Sequence, residues 1–409
     1  MRVASVFLAL FSLSLAICVP TQASTVSGLV YHDDNRTSLS LYVQNVDYAD
    51  VPLQGIKVSL ISAHDELTAT TNGDGIFEFD GLDQGNYLLD VGISNDHDCT
   101  SNNHPARAAE AVRDGYINIV AIGDSIGVIG SDVLYPERLG EHFAGLADVE
   151  VTNVAVGGTT TVDWLPGVDG SYFESRLLPV LPDADVVTMT LGGNDPLRWF
   201  NTVPPEDIQD IIEFIENIID HPEYVIEIVI NLKIIIREIQ QVNPECDVVF
   251  VVYPNFANTI FWRLILGEKI FGYGVQGVYT IFSISRHEVG SLDHIVISDT
   301  LEAHGDHMIQ DYLKDLIHPN DYGHQFYANT IFKALGGVII EDGKQNDVRM
   351  FGYYAPELVP PDWDDDDDTG DDDSDDDDDI DDDDSEDDDD DDDDTEADGD
   401  DDDEGSCSG

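Results

Sequence analysis

The sequence predicts an α/β domain on a parallel sheet, preceded by a small antiparallel β-sandwich and followed by a disordered acidic tail. Three observations carry that reading. Five short, nearly continuous apolar runs recur beyond residue 115 with helical patterns between them, and such runs fit strands covered on both faces. Period-two runs punctuated by glycine and aspartate fill residues 24–94. The last 48 residues, 362–409, hold 34 Asp and Glu and no Lys or Arg.

The 409-residue chain has 85 acidic against 17 basic residues and a formal net charge of −68. Half of that charge belongs to the tail, so the rest is an acidic folded surface. A phosphate backbone or an anionic membrane is excluded as an electrostatic partner, and no nucleic acid is expected.

Residues 1–23 open with Arg2, run apolar from Val3 to Val19 with serine interruptions, and end Thr21-Gln22-Ala23 before Ser24. This is the layout of a secretory signal peptide rather than an anchor, because no second span follows; the expected location is secreted or cell-surface. Ile17 before Cys18 is too bulky for lipoprotein processing. Cleavage leaves Cys99, Cys246 and Cys407, too few for a disulfide framework; one bridge is open, with its pairing unassigned. The densest later apolar stretch, Tyr224 to Ile236, is broken by Glu227, Asn231 and Lys233 and is too short and polar to span a bilayer.

Within 24–94, strands are expected at Ser27–Tyr31, Ile56–Ile61, Ile76–Phe79 and Tyr87–Val91, with Asn72-Gly73-Asp74-Gly75 forming a hairpin before the third. Gly28, Gly55, that turn, Gly81-Leu82 and Gly85-Asn86-Tyr87 resemble the prealbumin-like modules of collagen-adhesin B and surface-protein repeats. The resemblance implies a spacer or a module making cell-surface or glycan contact. Residues 95–115 are polar and aperiodic and read as a linker.

The α/β domain, 116–358, is expected to place strands at Tyr116–Ile122, Val149–Val156, Val186–Leu191, Val248–Val252 and Ile295–Ile297. Ile208, Ile211, Ile212, Ile215, Ile218 and Ile219 follow helical spacing, as do Val225, Ile228, Val229, Leu232, Ile235, Ile236 and Ile239. Reactive groups should gather beyond the carboxyl ends of the strands. There the chain carries Gly123-Asp124-Ser125-Ile126-Gly127, then Asn153 to Gly158, then Gly192-Gly193-Asn194-Asp195, and near the domain end Asp315-Leu316-Ile317-His318-Pro319-Asn320. These are the parts of acyl transfer. Ser125 needs a base, His318 can take its proton, and Asp315 three residues earlier can accept from Nδ1–H and leave Nε2 facing the serine. The backbone N–H groups of Ser125 and Gly158 and the Asn194 amide can hold the oxyanion.

These four blocks, in this order, resemble the SGNH or GDSL hydrolase family over roughly Tyr116 to Leu335. The resemblance implies a flavodoxin-like three-layer α/β/α sheet, a metal-independent esterase, lipase, thioesterase or carbohydrate deacetylase without cofactor, and Ser125, Gly158, Asn194, Asp315 and His318 in the roles just given. Counting five residues on from Asn153, as the family's second block does, favours Gly158 over the adjacent Gly157 as the donor. Ile126 stands where the family name has leucine, a volume-conserving change. The substrate class is an ester of a small molecule, a lipid or a glycan. Gly123 to Gly127 also satisfies the G-x-S-x-G elbow of α/β-hydrolases, but that fold needs several sheet strands before the serine. An adhesion or carbohydrate-binding protein with an inactive hydrolase-like domain is the alternative from another class.

Other residues carry blander readings. His324 is a helix or supporting residue, and His304, Asp306 and His307 a solvated loop rather than a metal site. Asp124 and Asp195 are acceptors that hold their loops. Trp164, Trp199, Phe200, Phe256 and Trp262 line either a pocket or the core. The tail, 359–409, is expected to be disordered, either a self-repelling spacer or a weak calcium-binding element, and Cys407 near its end is a candidate for covalent attachment.

Overall fold

The computed structural model describes residues 24–32, 51–92, 106–196, 223–292, 295–305, 307–341 and 346–353. The chain divides into units Met1–Trp363 and Asp364–Gly409, and every described residue lies in the first. The leader, the tail, Cys99, Cys407, Trp199, Phe200 and the helical pattern at 208–219 lie outside the described residues.

The amino-terminal strands are β1 (Ser24–His32), β2 (Val51–Pro52), β3 (Lys57–Ile61), β4 (Glu66–Thr70), β5 (Ile76–Leu82) and β6 (Gly85–Val91). Then come helix α1 (Ala106–Asp114), β7 (Tyr116–Gly123), α2 (Tyr135–Phe143), β8 (Asp148–Asn153), β9 (Val186–Thr190), α3 (Glu223–Val242) and β10 (Asp247–Val252). The chain continues through α4 (Ile260–Gly290), β11 (Ile295–Asp299), α5 (Thr300–His304), α6 (Asp321–Ala334), β12 (Gly337–Ile340) and β13 (Asn346–Tyr353). No helix among the described residues is long and apolar enough to cross a membrane.

Strands β7 to β11 form one parallel sheet in the order β11-β10-β9-β7-β8. Every residue of β9 and β10, and all of β7 after Tyr116, is buried, which is why these strands read as nearly continuous apolar runs. Helices α2 and α6 pack together beside β7, β8 and β11, while α3 and α4 pack together with α4 on β10 and β11. Right-handed crossovers running both ways from β7 put these pairs on opposite faces. The seven apolar positions at helical spacing in α3, Val225 to Ile239, are all buried. Each such side chain contributes about 2 kcal/mol by leaving water. The order reverses between β7 and β9, so a crevice opens at their carboxyl ends.

The amino-terminal strands form two sheets around a separate core that includes Val26, Val30, Leu60, Phe77 and Leu89. Three features differ from the sequence reading. Turn 72–75 is not a hairpin: β4 pairs with β3, whereas β5 pairs with β1, so the turn carries the chain from one sheet to the other. The Asn72 side chain, accepting from Asp74 N–H at 2.9 Å and Ile76 N–H at 3.0 Å, shapes that change of direction. Residues 106–114, read as linker, form α1, because Ala108, Ala109, Ala111 and Val112 make a buried face of small residues that polarity alone hides.

The last two strands, assigned by sequence to the α/β domain, belong to the sandwich. β12 pairs antiparallel with β6 and sends Val338 and Ile340 into the amino-terminal core, while β13 runs parallel to β1 from Thr25↔Asn346 to His32↔Tyr353. Their short apolar patterns directly follow α6 and so mimic further strands of the parallel sheet. Helix α1 joins the layers: Ala108 N–H donates to Asp247 Oδ2 at 2.8 Å, Arg107 pairs with Asp185 at 2.7 Å, and Arg113 pairs with Glu66 at 3.0 Å and Asp90 at 2.5 Å.

Candidate active site

The crevice holds the first three sequence blocks at the ends of adjacent strands. Gly123 closes β7 with φ +145°, a conformation that suits glycine, and a side chain there would strike Thr190 on β9. Asp124 follows, its backbone N–H donating to Thr190 O at 2.9 Å and its Oδ1 accepting from Ile126 N–H at 3.0 Å. These contacts turn the chain into a short 3₁₀ segment, Ser125–Gly127, with Ser125 at its start. Burial pushes the Asp124 carboxyl up to about 6, against the hydrogen bonds from Ile126 N–H and the Tyr253 hydroxyl.

The second and third blocks are bound to each other. Asn194 Nδ2 donates to Thr159 O at 2.9 Å. Asp195 accepts from Thr161 N–H at 3.0 Å and from the Thr161 hydroxyl at 2.5 Å, and that hydroxyl accepts from Asn231 of α3 at 3.0 Å. Gly158 lies at φ +78° in the exposed loop leading into this network. Asp124 and Asp195 thus both act as loop-holding acceptors.

Asp315 and His318 meet within one loop. His318 Nδ1 stands 2.8 Å from Asp315 Oδ2, while Asp315 Oδ1 accepts the N–H groups of His318 at 2.8 Å and Ile317 at 2.9 Å. Partial burial would raise the Asp315 carboxyl, but these donors hold it down at about 2. An ionised carboxylate only accepts, so the imidazole proton sits on Nδ1 and leaves Nε2 as the basic nitrogen. The loop is pinned by Lys314 N–H on His318 O at 2.8 Å, and Asn320 caps α6 by accepting from Gly323 N–H at 3.0 Å.

Ser125 and Asn194 line one cavity, and Ile317 and Pro319, on either side of His318, line it too. Its apolar wall includes Phe256, Ile309, Leu313 and Phe326. Among the described residues no hydrogen bond joins Ser125 to His318. Gly158, Asp315 and His318 are themselves not among the residues that line the cavity.

The segment after Ser125 is fastened to the histidine's side of the domain. His324 accepts from Tyr135 N–H at 3.1 Å through Nδ1 and contacts Ile129 O at 3.0 Å through Nε2, so it is a buried strut; burial lowers its pKa to about 4. Ser131 bonds Asp321, which also pairs with Arg138 at 3.3 Å. Gly130 has φ +126°, and a side chain there would strike the Pro319 carbonyl and come within 3.0 Å of His324 Nε2. Gly130→Ala is expected to destabilise the fold by about 1–3 kcal/mol, which thermal unfolding checks against Gly145→Ala, where a Cβ meets nothing within 4 Å.

Several functional neighbours escaped the sequence reading. Tyr253, at the end of β10, donates to Asp124 Oδ2 at 2.8 Å, and only its place after a buried strand could have flagged it. Of the aromatic residues, Phe256 lines the cavity, Trp164 is buried and donates to Thr159 Oγ1 at 3.0 Å, and Trp262 lies in the first turn of α4. His304 is not in a solvated loop: it ends α5, buried edge-on against Tyr312 and Phe326, because that short helix turns inward. No cluster of metal-ligand type occurs among the described residues.

Comparison with known proteins adds the following. The profile of the GDSL-like lipase/acylhydrolase family matches residues 121–326, from inside β7 to inside α6. Among solved structures, an extracellular lipase from Streptomyces rimosus is similar at 19% identity and TM-score 0.42, over 53% of this chain and 99% of that one. A lipase from a goat-rumen metagenome aligns at 18% identity and TM-score 0.40, over 54% and 98%. An acetyl xylan esterase aligns at 17% and 0.38, over 54% and 100%. No curated protein matches the chain.

Proposed function

Since the chain belongs to the GDSL-like lipase/acylhydrolase family, we propose that it is an exported serine esterase that cleaves carboxylic esters with Ser125, His318 and Asp315. The observation that carries this reading is the Asp315–His318 pair, 2.8 Å apart, with the neighbours of His318 in the chain, Ile317 and Pro319, lining the same cavity as Ser125 and Asn194.

In the first half-reaction Ser125 Oγ attacks the ester carbonyl carbon while His318 Nε2 takes the hydroxyl proton. The carbonyl oxygen gains charge and is met by the N–H groups of Ser125 and Gly158 and by Asn194 Nδ2. The carbon–alkoxy bond then breaks, and His318 returns its proton to the departing alcohol. A water molecule repeats the sequence on the acyl-enzyme, with His318 as base, and releases the acid and the free serine. Asp315 holds the imidazole in the required tautomer and stabilises its charged form. These steps call for no cofactor.

The apolar wall suits the acyl part of a small-molecule, lipid or glycan ester. The leader's composition supports export, and the glycine pattern of the amino-terminal sheets supports a prealbumin-like spacer or surface-contact module. A fluorophosphonate probe should label the protein at a single site, which peptide mass mapping assigns to Ser125, and p-nitrophenyl acetate or butyrate should be turned over. Labelling elsewhere, or a panel of such esters left intact, overturns the reading.

A further inference from the structure

The proton-transfer steps leave one buried polar arrangement without a role. Tyr253 is buried, its ring stacked on Phe282 with centroids 5.1 Å apart, and its hydroxyl donates to Asp124 Oδ2 at 2.8 Å. The ring also lies against the third block: a Cβ on Gly193 would stand 3.1 Å from its Cζ and 3.4 Å from its hydroxyl oxygen. One side chain at the end of β10 therefore touches both the turn bearing Ser125 and the turn bearing Asn194.

The Asn194 amide nitrogen has two hydrogens. Thr159 O takes one at 2.9 Å, while Asp124 Oδ2 lies 3.5 Å away, too far for more than a weak bond. Asp124 does not need that second hydrogen, because Tyr253 and Ile126 already serve its two oxygens. A buried carboxylate that loses a donor recruits the nearest substitute, since leaving it unsatisfied costs more than moving a side chain. The nearest substitute is the amide assigned to the oxyanion.

We propose that Tyr253 is a positioning residue that occupies Asp124 Oδ2 and so keeps the Asn194 amide free for the oxyanion. This rests on the esterase reading above. It gives Tyr253 a part in transition-state stabilisation without contact to the substrate.

The test is a double-mutant cycle on p-nitrophenyl acetate hydrolysis, with unfolding midpoints measured in parallel. Tyr253→Phe should lower kcat about tenfold and leave KM within about twofold. In an Asn194→Ala background the same change should alter kcat less than about twofold, because the amide it protects is gone. Equal factors in both backgrounds, or a loss confined to KM, overturn the proposal and leave a packing role. Should Tyr253→Phe fail to fold alone, it is made together with Asp124→Asn; with no carboxylate left to recruit the Asn194 amide, kcat should stay within about twofold of Asp124→Asn alone, and a further tenfold loss overturns the proposal. Turnover that survives Ser125→Ala overturns the underlying reading and not this inference alone.

Discussion

Ser125→Ala is expected to reduce ester turnover by a factor on the order of 10⁵ to 10⁶ and to abolish fluorophosphonate labelling, with an unfolding midpoint within about 3 °C of the parent. In the mechanism proposed above, the size of the loss follows from Ser125 Oγ being the atom that bonds to the substrate. The small structural effect follows from how the turn is held. Asp124 N–H, the Asp124 carboxylate, and the Ser125 carbonyl accepting from Val128 at 3.1 Å and Ile129 at 2.9 Å all survive removal of Oγ. Steady-state rates, active-site titration and a thermal melt decide the matter. A rate within tenfold of the parent ends the covalent mechanism.

Asp315→Asn should cost on the order of 10³ to 10⁴ in kcat with little change in KM. The asparagine oxygen can still accept from the backbone N–H groups of Ile317 and His318, so the loop keeps its shape. What disappears is the fixed charge. A neutral amide neither enforces the Nδ1–H tautomer nor stabilises the imidazolium formed at the transition state. The wild-type carboxyl, held at about 2, stays ionised wherever esters are assayed, so its own protonation adds nothing to an acid limb above about pH 4. Its pKa is depressed in the fold, so the stability it contributes is complete above its unfolded value near 4 and declines only as pH falls towards 2. A variant rate within tenfold of the parent would show that His318 is oriented by something else.

The parallel sheet was legible because four of its five strands are buried along nearly their whole length and carry few polar residues, the edge strand β8 being the exception. The runs at 116–122, 186–191 and 248–252 fall on β7, β9 and β10. Helix α3 was legible through its spacing. Helix α4 was not, since it carries glycines at 267, 272, 274 and 277 and aromatic residues on several sides, with a break at Gly267, φ +72°. The strand β4 escaped because it is an exposed edge with no buried alternation. At the site, the sequence blocks placed Ser125 and Asn194 just after buried strands, and both line one cavity. It could not disclose Tyr253 or Gly130, whose importance lies in contacts with residues distant in the chain: Asp124 for the first, Pro319 and His324 for the second.

The pairing of β12 with β6 and of β13 with β1 means that the α/β layer is a guest inserted into a host whose own chain is interrupted. The host cannot close until synthesis has passed the guest, so its two halves must wait, exposed, while the enzyme part folds between them. Cutting the protein before Tyr116 to isolate the enzyme part would strand two edges with nothing to pair against, and the fragment should self-associate. The opening and closing stretches of the first unit are thereby answerable to each other, and loss of either should release both.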